Sequence, residues 1–332
     1  MGGGSWSAST YASTTKSKID SGTSFAYSST TRSSSRDKWA AHEDLDPTKV
    51  AGPGSPLAGQ IVRESRDNDD HPNSLPIGVF FDETGSMGGI PVALQKDLGN
   101  LYGLILRKGY AEDPQVLIGA YGDTTCDRVP LQVSQFESDN RIDDNLDKLF
   151  LEGNGGGNGG ESMSIAWYYM AAHTATDSFE LRGKKGYAFF IGDEVSIPLT
   201  ADAVKKYVGD GEPLIPLDDK SIVAALREKW EPYVLVVNNW SAEIQGSVKF
   251  YTDLFGKNAI VLENPESVSA TIALIIGVME GTVDLDEGSK DLIDAGLNPN
   301  DVRAAGKALA MMSDGAGSSN GAVVTSELPP GL

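Results

Sequence analysis

At 332 residues and 40% hydrophobic content, the chain can hold one large domain or two modest ones around a real core. A formal net charge of -20 argues against nucleic acid or an anionic membrane surface as the main partner, because both demand clustered Lys and Arg. Cys126 is the single cysteine, which rules out an internal disulfide, favours a reducing compartment and reads as a packing residue.

Met1 to Trp6 lacks the apolar core of a signal peptide and puts Trp6 where a myristoylation motif wants Ser or Thr, so a cytoplasmic protein is expected. The longest apolar stretch, around Ile272 to Met279, falls short of the roughly 18 to 20 residues a membrane span needs, and reads as a buried helix. Residues 1–70 are dominated by Ser, Thr, Gly and Ala with no sustained period, and are expected to form a flexible low-complexity arm. Lys16, Lys18, Arg32, Arg36 and Lys38 outweigh Asp20 and Asp37 there, which leaves the arm slightly positive against an acidic body.

From Leu75 onward, short apolar runs alternate with helical patterns, the pattern of an α/β doubly wound, mostly parallel sheet. Leu75 to Phe81 reads as the first strand, and Pro91, Leu94, Leu98, Leu101 and Ile105 as the amphipathic helix after it. Val116 to Tyr121 and Arg128 to Phe136 are strands joined by a short turn, which predicts one antiparallel edge strand. A polar helix over 139–151 leads into a Gly-rich loop, and Ile165, Trp167 and Met170 mark the helix that leaves it. Tyr187 to Ile191, Tyr233 to Val237 and Ala259 to Leu262 complete six strands, with helices through Ile222, Leu226 and Trp230 and through Ile244, Val248, Tyr251 and Phe255 between them. The division this suggests is an arm over 1–70, an α/β domain over 71–285, a C-terminal helical extension over 286–312 and a flexible tail over 313–332.

In open α/β sheets ligands sit beyond the carboxyl ends of the strands. Three segments converge there: Asp82-Glu83-Thr84-Gly85-Ser86 after the first strand, Gly155-Gly156-Gly157-Asn158-Gly159-Gly160-Glu161 before a helix, and Gly192-Asp193-Glu194 after the fourth strand. Every donor is oxygen, which favours Mg²⁺ or Mn²⁺, and the absence of a Cys or His cluster among His42, His71 and His173 disfavours zinc. Glu83, Asp123 and Glu161 are placed at the rim of this crevice or in solvated loops.

The spacing Asp82-x-Thr84-x-Ser86, continued by Met87, resembles the metal-ion-dependent adhesion site of von Willebrand factor A domains, in the subgroup with Asp-x-Thr-Gly-Ser-Met. The same subgroup carries a Gly-Gly-Gly-Asp-Gly-Pro-Glu loop, similar to residues 155–161, and a strand-end Gly-Asp, similar to Gly192-Asp193. The resemblance covers roughly Leu75 to Leu262 and implies that Thr84 and Ser86 ligate an ion through hydroxyls, with Asp82 and Asp193 acting directly or through water. Asn158 stands where the subgroup has an acid, so that loop would give a neutral carbonyl oxygen or a water contact, with weaker affinity. The bland alternative is that Thr84, Ser86 and Asp193 only cap helices.

The implied function is a non-enzymatic binding module whose ion completes its coordination with a carboxylate of a protein partner. Intracellular relatives of this kind resemble adaptors of AAA+ ATPases of the MoxR type, and with no Walker motif here ATP hydrolysis would belong to the partner. A structural alternative is an assembly protein tethered into a larger particle by its arm. A phosphatase-like hydrolase would need a second Asp two positions after Asp82, where this chain has Thr84. The Gly155-x-Gly157-x-x-Gly160 run lacks the strand that a dinucleotide fingerprint requires before it.

Overall fold

Strand β1 (Arg63–Ser65) is short and polar, whereas β2 (Ser74–Asp82) is buried along all nine residues. β3 (Asp113–Tyr121), β4 (Leu131–Val133) and β5 (Thr174–Thr176) follow, then β6 (Gly186–Gly192), β7 (Trp230–Val237) and β8 (Ala259–Leu262). The computed structural model that defines these elements describes residues 7, 9–10, 13–14, 17, 26–87, 102–106, 108–153, 159–237 and 244–314, without the side chains of Ser86 and residues 312–314.

Six strands form one sheet in the order β4-β3-β2-β6-β7-β8, parallel throughout except for the β3/β4 pair. The expected α/β architecture and its antiparallel edge are both present. Register sets Asp82 beside Tyr121 and Phe81 beside both Ala120 and Ile191, so the carboxyl ends of β2, β3 and β6 finish level with one another.

Each central strand feeds two cores because successive side chains point to opposite faces. Ile77, Val79, Phe81, Phe189, Ile191, Tyr233 and Leu235 face the helix Val268–Met279 and its neighbours. Phe80, Ala188, Phe190, Val234 and Val236 face the helices Met163–Ala172, Asp219–Lys229 and Ile244–Phe255. Covering both faces with helices is what lets these strands run as uninterrupted apolar sequence. Gly119 in β3 is required by this packing, since a Cβ there would lie 2.2 Å from the Phe80 ring. Trp230, expected at a helix end, instead opens β7, fully buried, and donates its indole N–H to the Met170 carbonyl at 3.1 Å.

The expectation of a flexible arm over 1–70 is overturned for residues 26–70. A helix, Ala26–Arg32, is followed by chain that packs on the body, with Leu45 fully buried and its carbonyl accepting from Val133 N at 2.9 Å. Arg63 is fully buried and donates to the carbonyls of Lys49 (2.8 Å), Asp46 (2.6 Å) and Val133 (3.3 Å), with its guanidinium 5.8 Å from the Tyr169 ring centre. β1 then pairs in parallel with β5 in a separate two-stranded sheet that the apolar pattern did not predict. The segment is held by a few apolar anchors and by Arg side chains on backbone carbonyls, so its low hydrophobicity misleads. An assembly tether built from the whole arm therefore loses its free length from residue 26 on.

The expected C-terminal extension over 286–312 folds as helices Leu285–Asp294 and Pro299–Asp314, and its Leu292, Val302 and Ala305 join the same core as Ile272 and Ile275. Of the helix expected after β2, residues 102–106 are helical and Pro91, Leu94, Leu98 and Leu101 lie outside the described residues; of the tail expected over 313–332, residues 313–314 still belong to the last helix and the rest lies outside the described residues. Among the described residues no helix is long and apolar enough to cross a membrane.

Candidate metal site

β2 delivers Asp82 to the carboxyl edge of the sheet, 1% exposed. The chain turns there because Asp82 Oδ1 accepts both from the Thr84 backbone N–H (2.7 Å) and from the Thr84 hydroxyl (2.6 Å), a side-chain-closed turn. Gly85–Met87 continues as one 3₁₀ turn, with Met87 N–H donating to the Thr84 carbonyl at 3.2 Å. A hydroxyl that donates its proton in this way can still ligate an ion through its oxygen lone pairs. The Thr84 hydroxyl is therefore engaged with Asp82.

The other oxygen, Asp82 Oδ2, is buried and has no hydrogen-bond partner among the described residues. Burial pushes this carboxyl up to about 8; the two hydrogen bonds from Thr84 offset that only in part, and the carboxylates of Asp193 and Glu194 add to it. Glu161 repeats the pattern: its Oε2 is buried without a partner, and burial followed by repulsion from Asp82, Asp123 and Asp127 lifts it to about 10. Neither acid forms an ion pair with Lys or Arg among the described residues.

Asp193, 2% exposed, follows Gly192 at the end of β6. Gly192 is needed because a Cβ would sit 2.3 Å from Tyr121 Oη, which donates to the Ile191 carbonyl at 2.9 Å. Tyr251 Oη donates to the Glu194 carbonyl at 2.7 Å, so two buried tyrosines hold the loop that carries Asp193. Glu161 N–H donates to the Val195 carbonyl (3.0 Å) and Ile197 N–H to the Glu161 carbonyl (2.8 Å), which clips the end of the Gly-rich loop to the same segment. Ser162 N–H donates in turn to the Gly122 carbonyl at 3.0 Å. Loops after β2, β3 and β6 and the entry to the helix Met163–Ala172 are thus tied into one crevice.

Of the five candidate ligands, Asp82, Thr84 and Asp193 gather at this edge. Ser86 has its backbone in the 3₁₀ turn with its side chain outside the description, and Asn158 lies outside the described residues. Glu83, Asp123 and Glu161 are not at the rim or in solvent as the sequence suggests: they are 2%, 0% and 4% exposed. Behind them lie two acids the sequence reading missed, Asp127 and Glu152. Glu83 Oε2 accepts from Gln132 Nε2 at 2.9 Å while its Oε1 has no partner, and burial followed by the charges of Asp127 and Glu152 holds it well above the carboxylate range. Glu152 is paired with Arg36 at 3.2 Å, a cation supplied by the segment expected to be a loose arm. The legible signal was the repeat of Asp-x-Thr at Asp123, whose Oδ1 accepts from the Thr125 N–H (2.7 Å) and hydroxyl (2.6 Å) as Asp82 does from Thr84.

Among the described residues no three acids, histidines or cysteines converge at ligand spacing by themselves. An ion at Asp82 would therefore depend on hydroxyl and amide oxygens as well as carboxylates, the donor set the sequence puts forward. The donor chemistry and the orphaned buried oxygens of Asp82 and Glu161 suit a hard divalent cation. His173 is committed elsewhere, with Nε2 2.9 Å from Asp210 Oδ2 and Nδ1 2.8 Å from the Ile61 carbonyl. Burial and the carboxylates of Asp123 and Asp127 push the Cys126 thiol far above its usual range, which suits a packing role.

No protein-family model and no curated protein sequence matches the chain. Among solved structures, the pilus adhesin SpaC from Lactobacillus rhamnosus GG aligns at 12% identity and TM-score 0.43, over 65% of this chain and 32% of that one. Proximal thread matrix protein 1 from the mussel byssus aligns at 11% identity and TM-score 0.41, over 61% and 47%. The same byssus protein with a zinc-occupied MIDAS motif aligns at 10% identity and TM-score 0.39, over 63% and 46%. This chain thus spans from about a third to just under half of their lengths. At these TM-scores the likeness carries no argument about ligand, partner or family.

Proposed function

We propose that the chain is a metal-dependent protein-binding module of the von Willebrand factor A type. Asp82, Thr84, Ser86, Asn158 and Asp193 would hold a divalent ion, Mg²⁺ or Mn²⁺, that captures a carboxylate of a partner protein. The observation that carries the reading is Asp82 Oδ2, a buried carboxylate oxygen with no hydrogen-bond partner among the described residues, on a carboxyl that also feels the charges of Asp193 and Glu194. Such an oxygen is seldom left uncompensated, because a buried polar atom without a partner costs about 1 to 3 kcal/mol.

When bound, the ion would supply positive charge and an open coordination position. The chain's own residues fix the rest. Thr84 and Asp82 lock each other, Tyr121 and Tyr251 hold the Asp193 loop, and the clip between Glu161 and Val195 sets the approach of the Gly-rich loop. An acidic side chain has no reason to approach a body of charge -20 except at such an ion, so cation dependence and partner chemistry are one proposal. The partner class suggested by the sequence resemblance is a MoxR-type AAA+ ATPase in the cytoplasm, with this chain as a non-enzymatic adaptor.

The test is a pull-down with the full chain in Mg²⁺ and in chelator, repeated with Asp193→Asn. Proteins released by chelator and lost with the variant support the reading. Capture that ignores both chelator and variant contradicts it.

A further inference from the structure

β8 is the last strand of the sheet, so one side of its backbone is unpaired by any strand among the described residues. A groove of about 670 Å³ runs along that edge. Its floor includes Ile260 and Val261; one wall comes from the end of the helix Ile244–Phe255 and the Lys257 turn, the other from Lys307, Ala308 and Met311 of the helix Pro299–Asp314. The two helices lie against opposite faces of the sheet, since Tyr251 and Phe255 belong to one core and Val302 and Ala305 to the other. The groove is therefore a slot open at the sheet edge. Val261 is 37% exposed and Met311 70%, so apolar side chains stand beside a strand edge that no other strand among the described residues pairs, the arrangement that natural sheets normally cover.

The helix that builds one wall leads directly into residues 315–332. Gly315 to Gly321 is a run of seven small or polar residues, a linker whose contour of roughly 25 Å exceeds the length of β8, roughly 13 Å. Next comes Ala322-Val323-Val324-Thr325, the one β-branched run in this stretch and equal in length to the four residues of β8. Pro329-Pro330 follows and cannot donate to a ladder, which sets a stop. Glu327 is the single charged side chain in residues 315–332; at the groove Lys307 is paired with Glu263 at 3.1 Å, which leaves Lys257 as the cation there without an ion pair among the described residues. A second copy is the weaker occupant, because each body carries -20 and two walls recess the edge.

We propose that residues 322–325 add to the open edge of β8 as a seventh strand of the sheet, closing it from within the same chain. Main-chain hydrogen bonds supply the attachment and Val261 and Met311 supply the apolar contact, the mode by which extended segments join sheet edges. This inference is independent of the metal site.

Hydrogen–deuterium exchange on the full chain tests it, comparing the wild type with the double variant Val323→Pro, Val324→Pro. Successive N–H groups of a strand point in opposite directions, so one of these two must face β8 and proline removes both. Amides of residues 259–262 are expected to exchange about tenfold or more faster in the variant, with the wild-type protection unchanged on dilution. Equal exchange in the two proteins overturns the proposal. Wild-type protection that fades on dilution also overturns it, in favour of pairing between copies.

Discussion

Replacing Asp82 with Asn should stabilise the metal-free chain while destroying its response to metal. The Asn keeps Oδ1 for the two Thr84 donors and replaces the orphaned Oδ2 with a neutral NH₂, which removes the repulsion from the carboxylates of Asp193 and Glu194. Asp82 is held at about 8 in the folded chain against an ordinary value of 3.8. A carboxyl raised on folding contributes fully below pH 3.8 and loses that contribution as pH rises towards about 8. At pH 7 about three pH units of that rise are in play, which at ~1.4 kcal/mol each amounts to at most about 4 kcal/mol. Urea unfolding in chelator at pH 5, 7 and 8 measures it. The variant should gain on the wild type as pH rises, and added Mg²⁺ should raise the wild type alone. A variant that is less stable than the wild type in chelator at pH 8, or that keeps the full Mg²⁺ response, would refute the reasoning.

Two further perturbations probe the surroundings. Arg63→Leu leaves the carbonyls of Lys49, Asp46 and Val133 without their buried donor, and should cost about 3 kcal/mol or more while exposing residues 40–62 to proteolysis; a loss under about 1 kcal/mol would mean the clasp is dispensable. Burial pushes Asp127 up to about 6, an effect the Asp123 N–H offsets in part and Glu152 adds to. Its contribution should therefore fade between pH 3.8 and about 6, and Asp127→Asn should flatten that part of the pH profile by up to about 3 kcal/mol. An unchanged slope would place the titration elsewhere.

The main sheet was legible because β2, β6 and β7 are covered on both faces and so read as unbroken apolar runs, and because the turn around Asp123 is too short for a parallel crossover. The strand ends placed Asp82 and Asp193 at one edge for the same reason. What stayed hidden depends on contacts without periodicity. Arg63 fills its hydrogen bonds with backbone carbonyls, and Arg36 reaches Glu152 from 116 residues away, so no composition count shows that residues 26–65 are anchored. β1 and β5 are three-residue polar strands, too short to alternate. The burial of Glu83, Asp123 and Glu161 was obscured by a sound rule, that acids stay in water. On the proposed reading, its failure in one crevice marks the place of a charge the chain does not itself supply.

Direct titration with Mn²⁺ followed by electron paramagnetic resonance tests that claim most closely. The account predicts that the wild type removes free Mn²⁺ signal with a saturable stoichiometry of about one, that Mg²⁺ competes, and that Asp82→Asn abolishes the binding. Wild-type protein that leaves the Mn²⁺ signal untouched, or a variant that binds as the wild type does, would contradict it.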